Sequence, residues 1–231
     1  MSAKIHLIGT VHGDPSGAER LQKALVYEQP EVLTVEFSLE SLQYLENEGF
    51  SLLQQKVDSL SFPKDVNDFL KEKLTCLSFE VKVSSAYALE QNIPIHYVDH
   101  PSQLELEKQN ISAVCNSPKQ DFEDFLKCLS LRARNSGEDK IYSLYQSFFD
   151  HPGSQAEKTH LEKEAHFYGY RDSFMAQRIQ DVAEAIQRDS KIVHVGGLGH
   201  CLKDDMELRT LFSRLRHYAP TRTGLKWYED K

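Results

Sequence analysis

Four short apolar runs, separated by long helical patterns, constrain the fold of this chain more than any other feature. The runs are rich in β-branched residues, as is typical of strands, and lie at 5–8, 32–35, 93–98 and 192–195. Because they are apolar along most of their length, both faces of each strand should be covered. The pattern predicts an α/β fold, with a mostly parallel central sheet flanked by helices.

The length of the chain, 231 residues, fits one domain, and we expect a single domain over 1–231. The region 102–170 carries helical patterns without a strand, which indicates a helical cap over the sheet. A further helix is expected at 171–188, because Met175, Ile179 and Val182 fall on one apolar stripe. That stripe would hold the start of the helix rigidly. The segment after Pro220 shows no clear pattern.

Charge and hydropathy exclude several classes of function. The chain has 27 basic and 35 acidic side chains, a formal charge of −8, and no basic patch, so we expect no nucleic-acid partner. There is no apolar window long enough for a membrane span, and Met1 is not followed by a signal-peptide pattern. Its four cysteines lack a Cys-x-x-Cys spacing, as expected for reduced thiols. We therefore expect a cytoplasmic protein without a membrane partner.

Two Gly-x-x-His sequences, at 9–12 and 197–200, each follow a predicted strand. The residues that lead into them resemble each other, which indicates pseudo-symmetric strand ends. Glycine permits a sharp exit from a strand, and ligands bind at the carboxyl ends of parallel strands. The second and third predicted strands end near Glu36 and Asp99. The sequence therefore predicts one cleft that gathers imidazoles and carboxylates from separate parts of the chain.

Each of these residues also has a purely structural interpretation. Glu36 could cap the following helix, Asp99 could begin a turn, and either cleft histidine could satisfy a backbone carbonyl. His6, His96 and His194 lie inside predicted strands, where a histidine is more often a hydrogen-bonded core residue than a ligand. These three are excluded from the candidate site.

Other motifs are missing from the sequence. The segment Gly197-Leu-Gly199 lacks the third glycine of a dinucleotide fingerprint, and there is no phosphate-binding loop. No nucleotide cofactor is therefore expected. A Gly-x-Ser-x-Gly elbow is also missing, which argues against an ordinary serine hydrolase.

The ordered set of motifs resembles the TraB/PrgY/GumN family, in the larger group that includes Tiki proteases, erythromycin esterases and ChaN-like proteins. The matching segments are Gly-Thr-Val-His at 9–12, Val-Glu at 35–36, Arg-Asp-Ser-Phe-Met-Ala at 171–176 and Gly-Leu-Gly-His at 197–200. They span nearly the whole chain. The resemblance implies an α/β fold in which both histidine turns, the glutamate and the arginine converge on one cleft.

The relatives differ in their chemistry. Tiki-like members are regarded as metal-dependent peptidases, esterase members open a lactone with a histidine-activated water, and ChaN-like members bind haem. This chain also departs from TraB-like chains after the third strand, where it reads Asp99-His100-Pro101 instead of an acidic-basic-acidic turn. The resemblance therefore implies a shared cleft and leaves the reaction open.

Our leading hypothesis is a metal-dependent hydrolase that acts on a peptide or ester bond. His12, Glu36 and His200 would hold a divalent cation, manganese, cobalt, iron or zinc, and leave positions open for water and substrate. The residues expected to line the bound group are Gly9, Gly197 and Asp99.

The remaining residues of the predicted site have supporting roles. Arg171 would stabilise an oxyanion or orient Glu36. Asp172 is expected to support the site rather than react. Two alternatives stay open: a metal-independent hydrolase with a histidine general base assisted by Glu36, and a protein that binds haem or a peptide without catalysis. The expected partner is a peptide or a small-molecule substrate. The sequence predicts neither its identity nor the oligomeric state.

Overall fold

A computed structural model describes residues 3–59, 79–118, 137–151, 154–163, 169–187, 189–204 and 210–231. At its centre lies a five-stranded parallel sheet with the strand order β3-β2-β4-β1-β5. The strands are β1 Lys4–Thr10, β2 Val32–Val35, β3 Ile95–Tyr97, β4 Lys191–Gly197 and β5 Thr221–Gly224. The predicted α/β fold with a parallel sheet and flanking helices is confirmed.

The strand bounds differ from the sequence prediction at two edges of the sheet. The third strand is shorter than 93–98, because Pro94 has no N–H to donate and only its carbonyl oxygen pairs, accepting from Leu33 N. The fifth strand, Thr221–Gly224, was not predicted. Among the described strands it pairs only with β1, at the edge of the sheet, where a strand does not need an apolar run to be stable.

Helices cover both faces of the sheet. The α-helices are α1 Gly17–Glu28, α2 Leu39–Tyr44, α3 Phe50–Ser59, α4 Phe79–Gln91, α5 Gln103–Asn116, α6 Gly137–Asp150, α7 Gln155–Lys163, α8 Tyr170–Ala185 and α9 Leu211–Arg214. A π-helical segment, Leu45–Gly49, joins α2 to α3, and 3-10 helices occupy Leu198–Cys201, Arg216–Tyr218 and Leu225–Asp230. No helix among the described residues is long and apolar enough to span a membrane.

Alternate residues of the strands point to opposite faces of the sheet and belong to two core clusters. Ile8 and Val193 pack with residues of α1 and α4, including Leu21. Leu7 and Ile192 pack on the opposite face with residues of α8 and α9, including Met175. The helix predicted at 171–188 is α8, and its buried apolar residues anchor its first turn, as expected.

The region predicted as a helical cap, 102–170, is helical where it is described. Helix α5 lies against α2 and α3, and α6 packs against β5 and the last 3-10 helix. Tyr142 of α6 is buried in the cluster that includes Leu225 and Tyr228 of this 3-10 helix, whereas Phe148 of α6 is buried with Leu202. Residues 119–136, 152–153 and 164–168 of the region lie outside the described residues.

Candidate active site

The carboxyl ends of three adjacent strands bring the predicted site residues to one edge of the sheet. Val35 pairs with Val195 across β2 and β4, and Gly9 pairs with Gly196 across β1 and β4. The residues that follow these strand ends must therefore lie close together. The structure places His12, Glu36 and His200 there as the sequence predicts, and their catalytic roles stay predictions.

Glu36 lies at the centre of the cluster and is 5% exposed. Its Oε2 accepts a hydrogen bond of 2.6 Å from the backbone N–H of Gly197. Its Oε1 lies 2.7 Å from Arg171 Nη2 and 3.1 Å from His200 Nε2. Burial raises the pKa of Glu36, but His200 and Arg171 outweigh burial and hold this pKa well below its usual range. The carboxylate is therefore ionised between two cations.

His200 is held on both ring nitrogens. Its Nδ1 lies 2.7 Å from Asp172 Oδ1, and its Nε2 faces Glu36. The other oxygen of the Asp172 carboxylate accepts from Leu211 N at 2.6 Å, so this carboxylate is itself fixed. Burial lowers the pKa of His200, but the charges of Glu36 and Asp172 outweigh it and raise the pKa to about 10. His200 is therefore an imidazolium at neutral pH, and Asp172 supports the site as expected.

Arg171 is oriented by Asp99 through a two-pronged ion pair. The Nε donates to Asp99 Oδ1 at 2.7 Å, and Nη2 donates to Oδ2 at 2.5 Å. Such bidentate geometry fixes the plane of the guanidinium group. The side chain of Arg171 is 29% exposed, while that of Asp99 is 4% exposed. Asp99, predicted to line the bound group, thus lies behind Arg171 and positions it.

His12 lies on the open side of the cluster, with 57% of its side chain exposed. Its Nδ1 lies 2.8 Å from Oε1 of Glu80, a buried residue of α4 that also accepts from Thr10 Oγ1 at 3.0 Å. The His12 Nε2 makes no hydrogen bond to the described residues. Burial lowers the pKa of His12, but the hydrogen bond and charge of Glu80 outweigh it and raise this pKa.

The two glycines of the histidine motifs have different roles. A Cβ on Gly197 would lie 3.2 Å from His12 Nε2 and 3.6 Å from Glu36 Oε2, so this glycine lies between the cleft side chains. A Cβ on Gly9 would instead lie 2.5 Å from a methyl carbon of Leu198. Gly9, which was expected to line the bound group, therefore serves the packing of β1 against the turn after β4.

His194 was excluded from the site as a hydrogen-bonded core residue, and this expectation is half wrong. Its Nδ1 pairs with Thr34 Oγ1 at 3.0 Å, but its buried Nε2 has no partner among the described residues. Burial lowers the pKa of His194 to about 4, so the ring is neutral beside Glu36. The same expectation is confirmed for His6, which contacts Thr221 Oγ1 at 2.7 Å and Tyr228 Oη at 2.9 Å.

Two residues of the cluster were missed from the sequence. Glu80 lies in a helix and belongs to no motif. The one sequence feature that could indicate its burial is its position between two apolar residues, Phe79 and Val81. His194 is a polar residue in an otherwise apolar strand, two residues before Gly196, and this pattern could have indicated a place in the site. A Cβ at Gly196 would lie 2.7 Å from His194 Nε2 and 2.6 Å from Glu36 Oε2. The missing side chain of Gly196 is what makes room for both groups.

The shifted pKa of His200 predicts how stability depends on pH. Its pKa in the folded protein, about 10, lies above the unfolded value of 6.5, so its contribution is complete below pH 6.5 and is lost as the pH rises towards 10. The lowered pKa of Glu36 has the opposite effect, since its contribution is lost as the pH falls below 4.5. We expect the free energy of unfolding to be highest between these limits.

Urea unfolding with a chelator present, at intervals from pH 6.5 to 9, measures the alkaline decline. His200→Gln should be less stable at pH 6.5 and show a shallower decline than the wild type. The exposed His151, replaced by Gln, is the matched control and should keep the wild-type slope. An unchanged slope in His200→Gln would mean that His200 is not held as an imidazolium.

Comparison with known proteins adds no relative. No protein-family model, no curated protein and no solved structure matches the chain. The resemblance to the TraB/PrgY/GumN family thus stays a prediction that depends on the four sequence motifs.

Proposed function

We propose that the chain is a hydrolase that cleaves an ester or peptide bond in the cleft formed by His12, Glu36, Arg171 and His200. The observation that carries this proposal is the geometry of His12. Its Nδ1 is bound by the buried Glu80, while its Nε2 faces the cluster from a half-exposed position. A histidine that donates its Nδ1 proton to a carboxylate keeps a lone pair on Nε2, which is the arrangement of a general base.

In this mechanism His12 Nε2 takes a proton from a water molecule as the water oxygen attacks the substrate carbonyl carbon. The C=O electrons move to the oxygen, and the partly exposed Arg171 stabilises the resulting negative charge. Collapse of this intermediate breaks the bond to the alcohol or amine, which takes the proton from His12. Glu36 acts through its neighbours, because it keeps Arg171 and His200 in place.

The pKa of His12 sets the pH dependence of this proposal. The raised pKa means that the neutral, proton-accepting form is populated at higher pH than for an ordinary histidine. Activity should therefore rise with pH through the neutral range.

A divalent metal is the second candidate, and one observation favours it. Both histidines have Nδ1 bound to a carboxylate, Glu80 or Asp172, as metal-binding histidines commonly do. The 3.1 Å between His200 Nε2 and Glu36 Oε1 also suits two ligands of one ion with bonds of about 2.0–2.2 Å. His12, Glu36 and His200 would hold the ion, which would lower the pKa of a bound water.

The cluster must change before it can take such an ion. In the part of the chain that the structure describes, no three His, Cys, Asp or Glu side chains are grouped so as to hold a metal. His200 would have to lose a proton, and Arg171 already neutralises the Glu36 carboxylate from 2.7 Å. We therefore place the metal-independent mechanism first.

The test is hydrolysis of a panel of p-nitrophenyl esters and fluorogenic peptides, with a chelator or with added Mn²⁺, Co²⁺, Fe²⁺ or Zn²⁺. We expect activity in chelator, and a fall in kcat/KM of about 10²- to 10⁴-fold in His12→Ala. Glu80→Gln should lower kcat and shift the pH profile of kcat/KM to lower pH, because it removes the carboxylate that raises the pKa of His12. His151→Ala, an exposed histidine, is the control.

Other outcomes separate the alternatives. Activity that is lost in chelator and restored by one metal would favour the second candidate. If the wild type cleaves nothing and instead gives a Soret band with haem that disappears in His12→Ala and His200→Ala, the chain is a binding protein and the proposal is wrong.

A further inference from the structure

A groove of about 330 Å³ lies between helix α6 and the end of β5. Its lining includes Tyr142, Gln146, Asp150, Gly224, Lys226 and Trp227. We infer that this groove is a recognition subsite of the proposed hydrolase and takes an uncharged substrate group that carries an amide or a hydroxyl. The inference rests on the proposed function, since it assigns part of the same substrate.

The groove lies at the same edge of the sheet as the catalytic cluster. Gly224, which lines it, is the last residue of β5 and pairs with Gly9 of β1. Tyr142 lines the groove, and its hydroxyl accepts a hydrogen bond of 3.0 Å from the backbone N–H of Val11, the neighbour of His12. The same hydroxyl donates to Asp14 at 3.2 Å. One side chain therefore forms both a wall of the groove and a support of the turn that carries the proposed base.

The two charged side chains that line the groove, Lys226 and Asp150, already have partners. Lys226 Nζ lies 3.1 Å from Asp139 Oδ2, and the carboxylate of Asp150 accepts from Gln146 Nε2 at 2.9 Å. An anionic ligand would have to displace Asp139 from Lys226 and would meet the like charge of Asp150, while a cationic ligand would meet the like charge of Lys226. An ion is therefore a poor fit for the groove, and a neutral ligand is a better one.

The uncharged groups of the groove indicate what such a ligand carries. Gln146 Oε1 lies 3.9 Å from the position of a Cβ on Gly224, so an acceptor faces the floor of the groove. The side chain of Trp227 adds an apolar surface, and the residue is 41% exposed. A ligand with an N–H or O–H donor beside apolar carbon complements both.

Gly224 keeps the floor open without being required by the fold. Its φ of −75° suits any residue, and the atoms nearest to an added Cβ lie at 3.6 Å or more, which is ordinary contact. Gly9 and Gly196 differ, because there an added Cβ would meet neighbours at 2.5 and 2.6 Å. Gly224→Ala should thus fold normally and narrow the groove. It therefore tests ligand binding in the groove without a change in stability.

Trp227 is the only tryptophan in the sequence, so its fluorescence reports on the groove directly. Binding is measured in His12→Ala, to prevent turnover, with the methyl esters of N-acetylglutamine, N-acetylnorleucine and N-acetylglutamate. We expect a saturable fluorescence change with the glutamine ester at concentrations where the other two give none. In the wild type, kcat/KM should favour the glutamine over the norleucine ester by about tenfold, as one hydrogen bond would give.

Two variants and a control test the assignment. In Gln146→Ala, the ratio of kcat/KM for the glutamine ester to that for the norleucine ester should fall close to one. Gly224→Ala should raise KM for the glutamine ester with an unchanged thermal midpoint. Gln109→Ala, an exposed glutamine of α5, should change nothing.

The failure of this inference is distinguishable from the failure of the proposed function. If the esters are hydrolysed but neither groove variant changes preference or fluorescence, the groove is not a subsite, and the hydrolase proposal stands. If the norleucine or glutamate ester binds as well as the glutamine ester, the assigned chemical class is wrong. If fluorescence saturates in a Gln146-dependent way but no substrate is cleaved, the groove binds its ligand and the hydrolase proposal falls.

Discussion

Replacing Glu36 by glutamine should abolish hydrolysis and lower the free energy of unfolding by about 3–5 kcal/mol. The substitution keeps the shape of the side chain and an acceptor for Gly197 N, but it removes the negative charge that lies between Arg171 and His200. His200 is buried, so its charge is then incompletely compensated. Urea unfolding and kcat/KM measure the two effects, with the exposed Glu90→Gln as the control.

A double variant separates the effect of the Glu36 charge on stability from the effect of the shape of its side chain. Glu36→Gln combined with Arg171→Met removes one cation together with its partner, so it should recover part of the lost stability and none of the activity. If Glu36→Gln is as stable as the wild type, the carboxylate is not the partner that compensates the two cations.

Replacing Gly196 by alanine should lower kcat/KM by about 100-fold, as expected when catalytic groups are displaced by about 1 Å. The new Cβ would lie 2.6 Å from Glu36 Oε2 and 2.7 Å from His194 Nε2, so one of these buried side chains must move. Overpacking of this kind costs about 1–3 kcal/mol of stability.

Gly224→Ala is the matched control for the stability measurement, because it adds the same methyl group to the same edge of the sheet without a clash. Thermal unfolding of both variants and kcat/KM of Gly196→Ala test the prediction. A Gly196→Ala protein with wild-type stability and activity would show that the Glu36 carboxylate does not depend on the missing side chain of Gly196.

The main part of the site could be predicted from the sequence for a simple geometric reason. The carboxyl ends of parallel strands share one edge, so residues that follow apolar runs, such as His12, Glu36 and His200, must meet there. Arg171 was found through the family resemblance, and its rigid placement followed from the apolar stripe of its helix.

The residues that support the site could not be predicted in this way. Glu80 reaches His12 from a helix, and which helical residue faces the sheet edge depends on how α4 packs. The fifth strand lies at the edge of the sheet and needs no apolar run, so periodicity does not reveal it. The open Nε2 of His194 depends on cross-strand neighbours, which become known only with the register of the sheet.

The position of β1 also has a consequence for synthesis on the ribosome. This strand is made first, yet its two partners in the sheet are β4 and β5, which begin at Lys191 and Thr221. Until those residues have left the exit tunnel, both edges of β1 lack their native partners, and such edges invite pairing with other chains. Nascent chains halted before residue 191 should therefore depend on chaperones and cannot have activity, because His200 of the catalytic cluster has not yet been translated.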